Sequence, residues 1–192
     1  TGSIINWLGR LTGGLDYDDL NAKAAALPPG AEGLIVQDHF QGNRTPYTDP
    51  LSRGAILGLT LAHDKHHIFR AIMEGIGFGT RAILDAFADA GYASTEMTVG
   101  GGASASDLWM QIHADTAGLP IRIPASPDAP STGAAVLAAH GAGRFASIDD
   151  GIAAMVHPGR LVEPDPANVA RYAEIYARYR ALYPAAKQVL SA

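Results

Sequence analysis

Cysteine is absent from the 192 residues. A disulfide framework, a cysteine zinc site, an iron–sulfur cluster and a thiol nucleophile are therefore all excluded, and a reducing compartment is permitted. Positive charge is also scarce: 14 Lys+Arg stand against 19 Asp+Glu, for a formal net charge of −5. A binder that neutralises the phosphates of a polymer needs a basic surface, so nucleic acid is not expected as a partner. Long apolar runs are missing as well. No stretch approaches the roughly 18 uninterrupted apolar residues of a membrane span, and the start, TGSIINWLGR, lacks a basic segment followed by an apolar one. The chain reads as soluble and cytoplasmic, with no membrane partner. Repeats, low-complexity tracts and charge blocks are absent too, which sets aside solenoids and disordered tails.

What is present suits a globular fold. Hydrophobic residues make up 47% of the chain, and its length allows one domain or two small ones at about 100–200 residues per domain. One domain with a substantial core is the default. Alanine, the commonest residue, favours closely packed helices.

Periodicity alternates along the chain. Ile4, Ile5, Leu8 and Leu11 fall at helical spacing, and a second helical run over 16–27 ends at Pro28, Pro29 and Gly30. Residues 33–36 read as a short buried strand, and 41–50, with two prolines, as a loop. Asp64 can cap a long helix over 65–90, with Ile68, Ile72, Ile76, Ile83, Leu84 and Phe87 on its apolar face. There follow a strand over 96–99, three glycines, a helix over 106–117, a strand over 120–123 and a helix over 132–140. A helix over 148–155, an extended Leu161–Val162 and a closing helix over 166–183 complete the pattern. Such alternation implies an α/β layered domain with ligands at the carboxyl ends of strands.

The glycine run Gly100, Gly101 and Gly102, followed by Ser104 and Ser106, is the most informative local feature. Without Cβ atoms a ligand can approach the backbone, and the following helix offers N–H groups and the positive end of its dipole to an anion. A nucleotide suits that geometry. Ser104 and Ser106 could cap the helix or donate to a ribose or phosphate oxygen, and a turn needed only for close contact is the alternative. The spacing is neither a dinucleotide fingerprint nor a P-loop.

Other groupings are less telling. Gly75, Gly77 and Gly79 lie inside the long helix, where they serve close contact rather than phosphate binding. His63, His66 and His67 surround Asp64 but diverge around a helix start, so a solvated helix end is expected rather than a metal site. Asp38 and His39, with Arg44, Asp49 and Arg53 in the following loop, are either acid–base groups or a loop fastened by an Arg44–Asp49 pair. Asp115 reads as structural, and Tyr172, Tyr176, Tyr179 and Tyr183 as one buried face of a helix.

Gly54-Ala55-Ile56-Leu57-Gly58-Leu59, then His67 through Glu74, then Val99 through Ser106 continuing into Trp109, Gln111, Asp115 and Gly118-Leu119-Pro120 follow one another in order. Together these segments resemble the FGGY family of carbohydrate kinases. Gly42-Asn43-Arg44-Thr45-Pro46 is similar to the family's Gly-Glu-Arg-Thr-Pro loop, with Asn43 for glutamate, and Gly133-Ala134-Ala135 to its Gly-Ala-Ala turn, with Asp128 where glutamate is usual. The resemblance implies an actin-like, ribonuclease-H-like ATPase fold, an α/β domain whose mixed sheet is flanked by helices. It implies that residues 1–192 are a carboxyl-terminal domain lacking its first strands, with the amino-terminal sugar-binding domain absent. ATP and Mg2+ are the implied cofactors, ATP or ADP and a sugar or polyol the partners, and a homodimer is allowed. Gly102 and Ser106 match positions that hold adenosine, Ser106 standing for a common asparagine; Gly2 and Asn6 match a glycine and a glutamine one helical turn apart. With Gly101 and Ser104 these form the expected nucleotide-binding set. The family's catalytic aspartate and Gly-Thr phosphate loop would precede this chain, so the expected function is the nucleotide-binding half of an ATP-dependent kinase, inactive alone. A noncatalytic interaction domain of the same fold, using the cleft surface and the tyrosine stripe, is the alternative.

Overall fold

The computed structural model describes residues 2–126 and 128–190. Helix α1 (Gly2–Thr12) buries Ile4, Ile5 and Leu8, whereas Leu11, expected on the same face, is 64% exposed because the helix ends beside it at Gly13 and Gly14. Helix α2 (Tyr17–Ala26) starts at Asp16, whose carboxylate accepts from the Asp18 and Asp19 N–H groups. The strand expected from residue 33 begins later, as β1 (Ile35–Gln37). Residues 30–33 all have positive φ, at 93°, 43°, 54° and 105°, which extended backbone cannot accommodate.

Strand β2 (Ala55–Leu57) pairs antiparallel with β1, Ile35 opposite Leu57. Sequence alone predicts no strand there. Three half-exposed residues carry little periodicity, and the pairing is made by a distant partner. Helix α3 (Lys65–Asp89) follows, capped by Asp64 as expected. Its inward glycines admit close neighbours: a Cβ at Gly75 would press into the Val36 carbonyl, and one at Gly77 into the Thr116 side chain.

Strand β3 (Met97–Thr98) lies parallel to β4 (Ile121–Arg122), which runs antiparallel to β5 (Leu161–Val162), so the second sheet is mixed. Between β3 and α4 (Asp107–Ala117) the chain makes a 3-10 turn, Gly102–Ala105. Helix α5 (Ala129–Gly141) begins one turn earlier than its apolar pattern suggested, because Asp128 caps it and Pro130 suits a first turn. Helix α6 (Ile148–Met155) has the expected bounds.

Helix α7 (Pro166–Leu190) continues through Pro184, past the expected stop at Tyr183. Proline removes one backbone donor. Side chains on both sides of it reach the same carboxylate: Tyr183 Oη donates to Asp49 Oδ2 at 2.8 Å, and Lys187 Nζ lies 3.3 Å from it. The tyrosine face is buried. Tyr172, Tyr176 and Tyr179 gather with Ile35, Phe78 and Ala82 in a second apolar cluster, beside the main core built by α1, α2, α3 and α4. Each hydroxyl has a carboxylate: Tyr172 on Glu74, Tyr176 on Asp85, Tyr179 on Asp38. The stripe therefore fastens α7 to its own domain and is not a surface for a partner chain.

Candidate functional site

A cavity of about 760 Å³ opens where α1, α2 and the glycine turn converge. Its walls are Gly2, Ile5 and Asn6 of α1, Tyr17, Asp18 and Asn21 of α2, Phe69 of α3, residues 100–103, Ala105, and Ser106 and Trp109 at the head of α4. Gly2, Asn6, Gly101, Gly102 and Ser106, separated widely in sequence, thus come together. Gly2 and Asn6 do so because residues four apart share a helix face.

The glycines earn their places sterically. Gly101 has φ 89°, a conformation strained for any other residue, and open space surrounds the Cβ position at Gly2, Gly101 and Gly102. A planar or sugar-like group can lie against bare backbone there, on an apolar surface that includes Ile5, Phe69 and Trp109. The lining side chains offer amides, a carboxylate and two hydroxyls, and among the described residues none of them is basic. That donor set fits a nucleoside: a neutral base can meet the amides, and ribose hydroxyls can donate to Asp18.

Ser104 and Ser106 take different roles from a direct ligand donor. The Ser104 hydroxyl donates to the Gly101 carbonyl at 2.7 Å, stiffening the turn, and Ser104 lines a neighbouring cleft with Ile123, Pro124 and Asp128 rather than the main cavity. Ser106 caps α4 by accepting from the Trp109 N–H at 3.2 Å, and its only hydrogen goes to Asn21 Oδ1 at 2.8 Å. Nor does the glycine run feed directly into the helix dipole, since the 3-10 turn intervenes and Ser106 closes the helix end.

Tyr17, Asp18 and Asn21 were missed from sequence. Their only signal was a polar face on a short helix, and α2 comes to this turn only through long-range contacts. One of these holds α2 to α3. His66 Nε2 lies 2.8 Å from Asp19 Oδ2 and its Nδ1 2.9 Å from Asp64 Oδ2. His66 is 8% exposed, so it does not belong to the solvated helix start expected of these histidines. Burial works to lower the His66 pKa, but the two carboxylates outweigh it and raise it. Hydrogen bonds from Lys23 and His66 hold Asp19 at about 2. Among the described residues, no group of three or more His, Cys, Asp or Glu side chains is gathered to hold a metal ion.

The acid–base candidates after β1 prove structural. Asp38 accepts from Tyr179 Oη at 2.6 Å, and burial pushes its pKa up. His39, 2% exposed, joins Ser52 Oγ through Nδ1 and Asn43 Nδ2 through Nε2. Asp49 fastens its loop to Tyr183 and Lys187 rather than to Arg44, and Arg53 folds back onto the Leu51 and Ser52 carbonyls. Asp115 is buried and accepts from Gln111, the Asp165 N–H and Asn168, as a structural residue does.

Comparison with known proteins agrees with this architecture. Residues 1–142 match the FGGY family of carbohydrate kinases, C-terminal domain. The chain is 36% identical over 173 residues to ribulokinase of Bacillus licheniformis, covering 87% of this chain and 31% of that protein. It is 32% identical over 193 residues to xylulose kinase of Bacillus subtilis, covering 100% of this chain and 38% of that protein. The crystal structure of xylulose kinase from Rhodospirillum rubrum superposes with a TM-score of 0.85 at 32% identity, over 100% of this chain and 39% of that one. Plasmodium falciparum glycerol kinase with ADP, at 22% identity and a TM-score of 0.77, shares the fold. The chain thus spans well under half the length of the proteins it matches. The fold is that of the actin-like ATPases. Since the match runs through α1, α2 and the glycine turn that together wall the cavity, the chain belongs to the FGGY family of carbohydrate kinases.

Proposed function

We propose that this chain is the nucleotide-binding half of an ATP-dependent carbohydrate kinase, one that transfers the γ-phosphate of ATP to a hydroxyl of a sugar or polyol. The observation that carries the proposal is the glycine-walled cavity, where Gly2, Gly101 and Gly102 leave open space beside the amides of Asn6 and Asn21 and the carboxylate of Asp18. The cavity takes the base and ribose. With no basic side chain among the described residues of its lining, it is not the seat of the triphosphate, which would extend toward a separate amino-terminal domain that holds the sugar and supplies the catalytic base. Relatives named xylulose kinase and ribulokinase support a sugar as the acceptor.

Mg2+ bound to ATP would neutralise phosphate charge and steady the γ-phosphate for in-line transfer. We assign it to the phosphates rather than to a ligand set in this chain. The chain's own residues hold and orient the nucleoside, and closure of two domains around both substrates would bring the hydroxyl to the phosphorus and exclude water. Every wall of the cavity comes from one chain, so a homodimer is not required for it. The reading carries a cytoplasmic setting; no helix among the described residues is long and apolar enough to cross a membrane.

Calorimetric titration of the 192-residue chain with ADP and ATP, with and without Mg2+, tests the proposal. Gly102→Val should weaken binding at least about tenfold while leaving thermal unfolding unchanged, because the added side chain meets no protein atom within 4 Å of its Cβ and instead fills the cavity. Unchanged affinity in a folded variant would remove this cavity as the nucleotide site.

A further inference from the structure

One end of the cavity, between α2 and the head of α4, is finished by two polar side chains locked to each other. Ser106 Oγ donates to Asn21 Oδ1 at 2.8 Å and accepts from the Trp109 N–H at 3.2 Å. Asn21 Nδ2 donates to the Tyr17 carbonyl at 2.7 Å. A hydroxyl has one hydrogen and two lone pairs, and a primary amide has two N–H bonds and a carbonyl oxygen with two lone pairs. After these bonds Ser106 keeps a lone pair and no hydrogen. Asn21 keeps one N–H and one lone pair on Oδ1.

The arrangement also fixes which end of the amide is which. If the Asn21 amide turned over, its oxygen would face the Tyr17 carbonyl, acceptor against acceptor, and the Ser106 hydrogen would lose its partner. Both residues line the cavity, so the ligand meets the Asn21 N–H donor beside acceptor lone pairs on Ser106 and Asn21, in a set order.

We propose that Asn21, held in orientation by Ser106, reads the purine edge and selects adenine over 6-oxopurines; this rests on the nucleotide assignment above. Adenine presents a ring-nitrogen acceptor beside an amino donor, the complement of the Asn21 N–H and the Ser106 lone pair. Guanine and hypoxanthine carry a carbonyl oxygen in place of that amino group, so an acceptor would meet an acceptor. A site built around such a pair rejects the wrong partner because its own polar groups are left unmatched. The base is also the uncharged part of the nucleotide and suits a lining without basic residues. Asn21 offers its N–H to the ring nitrogen, and Ser106 both holds Asn21 in orientation and offers its remaining lone pair to the amino group.

The test is the ratio of ADP to IDP affinity, measured by calorimetry on the 192-residue chain and three variants, each checked for folding by circular dichroism. The unaltered chain should bind ADP about tenfold more tightly than IDP, the discrimination one matched pair of base-edge hydrogen bonds supplies. Asn21→Leu should bring the ratio close to one, chiefly by weakening ADP. Ser106→Thr, which keeps the hydroxyl, should preserve the ratio, and Ser106→Ala should narrow it although Asn21 is still there, a change that loss of a helix cap alone would not cause. Equal affinities in the unaltered chain, or a preference that survives Asn21→Leu, would overturn the inference while leaving the nucleotide site standing. Failure of either nucleotide to bind would overturn the nucleotide assignment and the inference together.

Discussion

The Tyr172 hydroxyl donates to Glu74 Oε1 at 2.9 Å in the interior, and the same oxygen accepts from Arg70 Nε at 2.8 Å and from the Gly30 N–H at 3.0 Å. Arg70 completes the network by donating to the Ala24 carbonyl and the Tyr172 hydroxyl. Burial pushes the Glu74 pKa up, against the pull of Arg70. Three pieces of chain meet here: α3, α7 and the residues leading out of α2, the helix that walls the cavity.

Removing one partner of this network should cost far more than removing both. Glu74→Leu leaves the Arg70 charge buried and uncompensated, and should destabilise by about 3–5 kcal/mol. The double variant Glu74→Leu, Arg70→Met should recover most of that loss. Urea denaturation of the single and double variants measures both, and additive losses would contradict the paired reading.

Gly75 and Gly102 should respond oppositely to a side chain. Gly75→Val drives into the Val36 carbonyl and should destabilise by about 1–3 kcal/mol or more. Gly102→Val meets open space and should leave stability within about 0.5 kcal/mol. Thermal unfolding of the two variants side by side checks that one glycine serves the core and the other faces the cavity.

His66 makes stability depend on pH in a defined direction. Its folded pKa lies above the ordinary 6.5 despite burial, because it bridges Asp19 and Asp64. The folded state therefore holds the proton more tightly than the unfolded chain. The contribution is complete below 6.5 and is lost as pH rises through the raised folded value. His39 and His113, whose pKa values burial lowers, the latter to about 4, act with the opposite sign and below 6.5. Denaturation midpoints should fall above 6.5, and His66→Gln should flatten that fall. An identical slope in the variant would contradict the bridge.

Much of this was legible before the fold, where the signal was local. Asp64 and Ser106 cap the helices expected after them, since a cap and its helix are neighbours in sequence. The glycine turn stood out by its own run of glycines, and the Gly2 and Asn6 pair came from the family resemblance. What stayed hidden depends on distant partners. The pairing of β2 with β1, the continuation of α7 past Pro184 and the arrival of Asn21 at Ser106 are all contacts that periodicity does not encode. The role of Ser106 shows the limit best: its type announced a cap, but which acceptor would take its hydrogen is decided 85 residues away.

Nucleotide is proposed to bind between α1, α2 and the glycine turn. Amide hydrogen exchange of the chain with and without millimolar Mg–ADP tests it most directly. Exchange should slow over residues 2–6, 17–21 and 100–106, with α6 unchanged. Unaltered exchange over 100–106, or protection confined to another face of the domain, would contradict it.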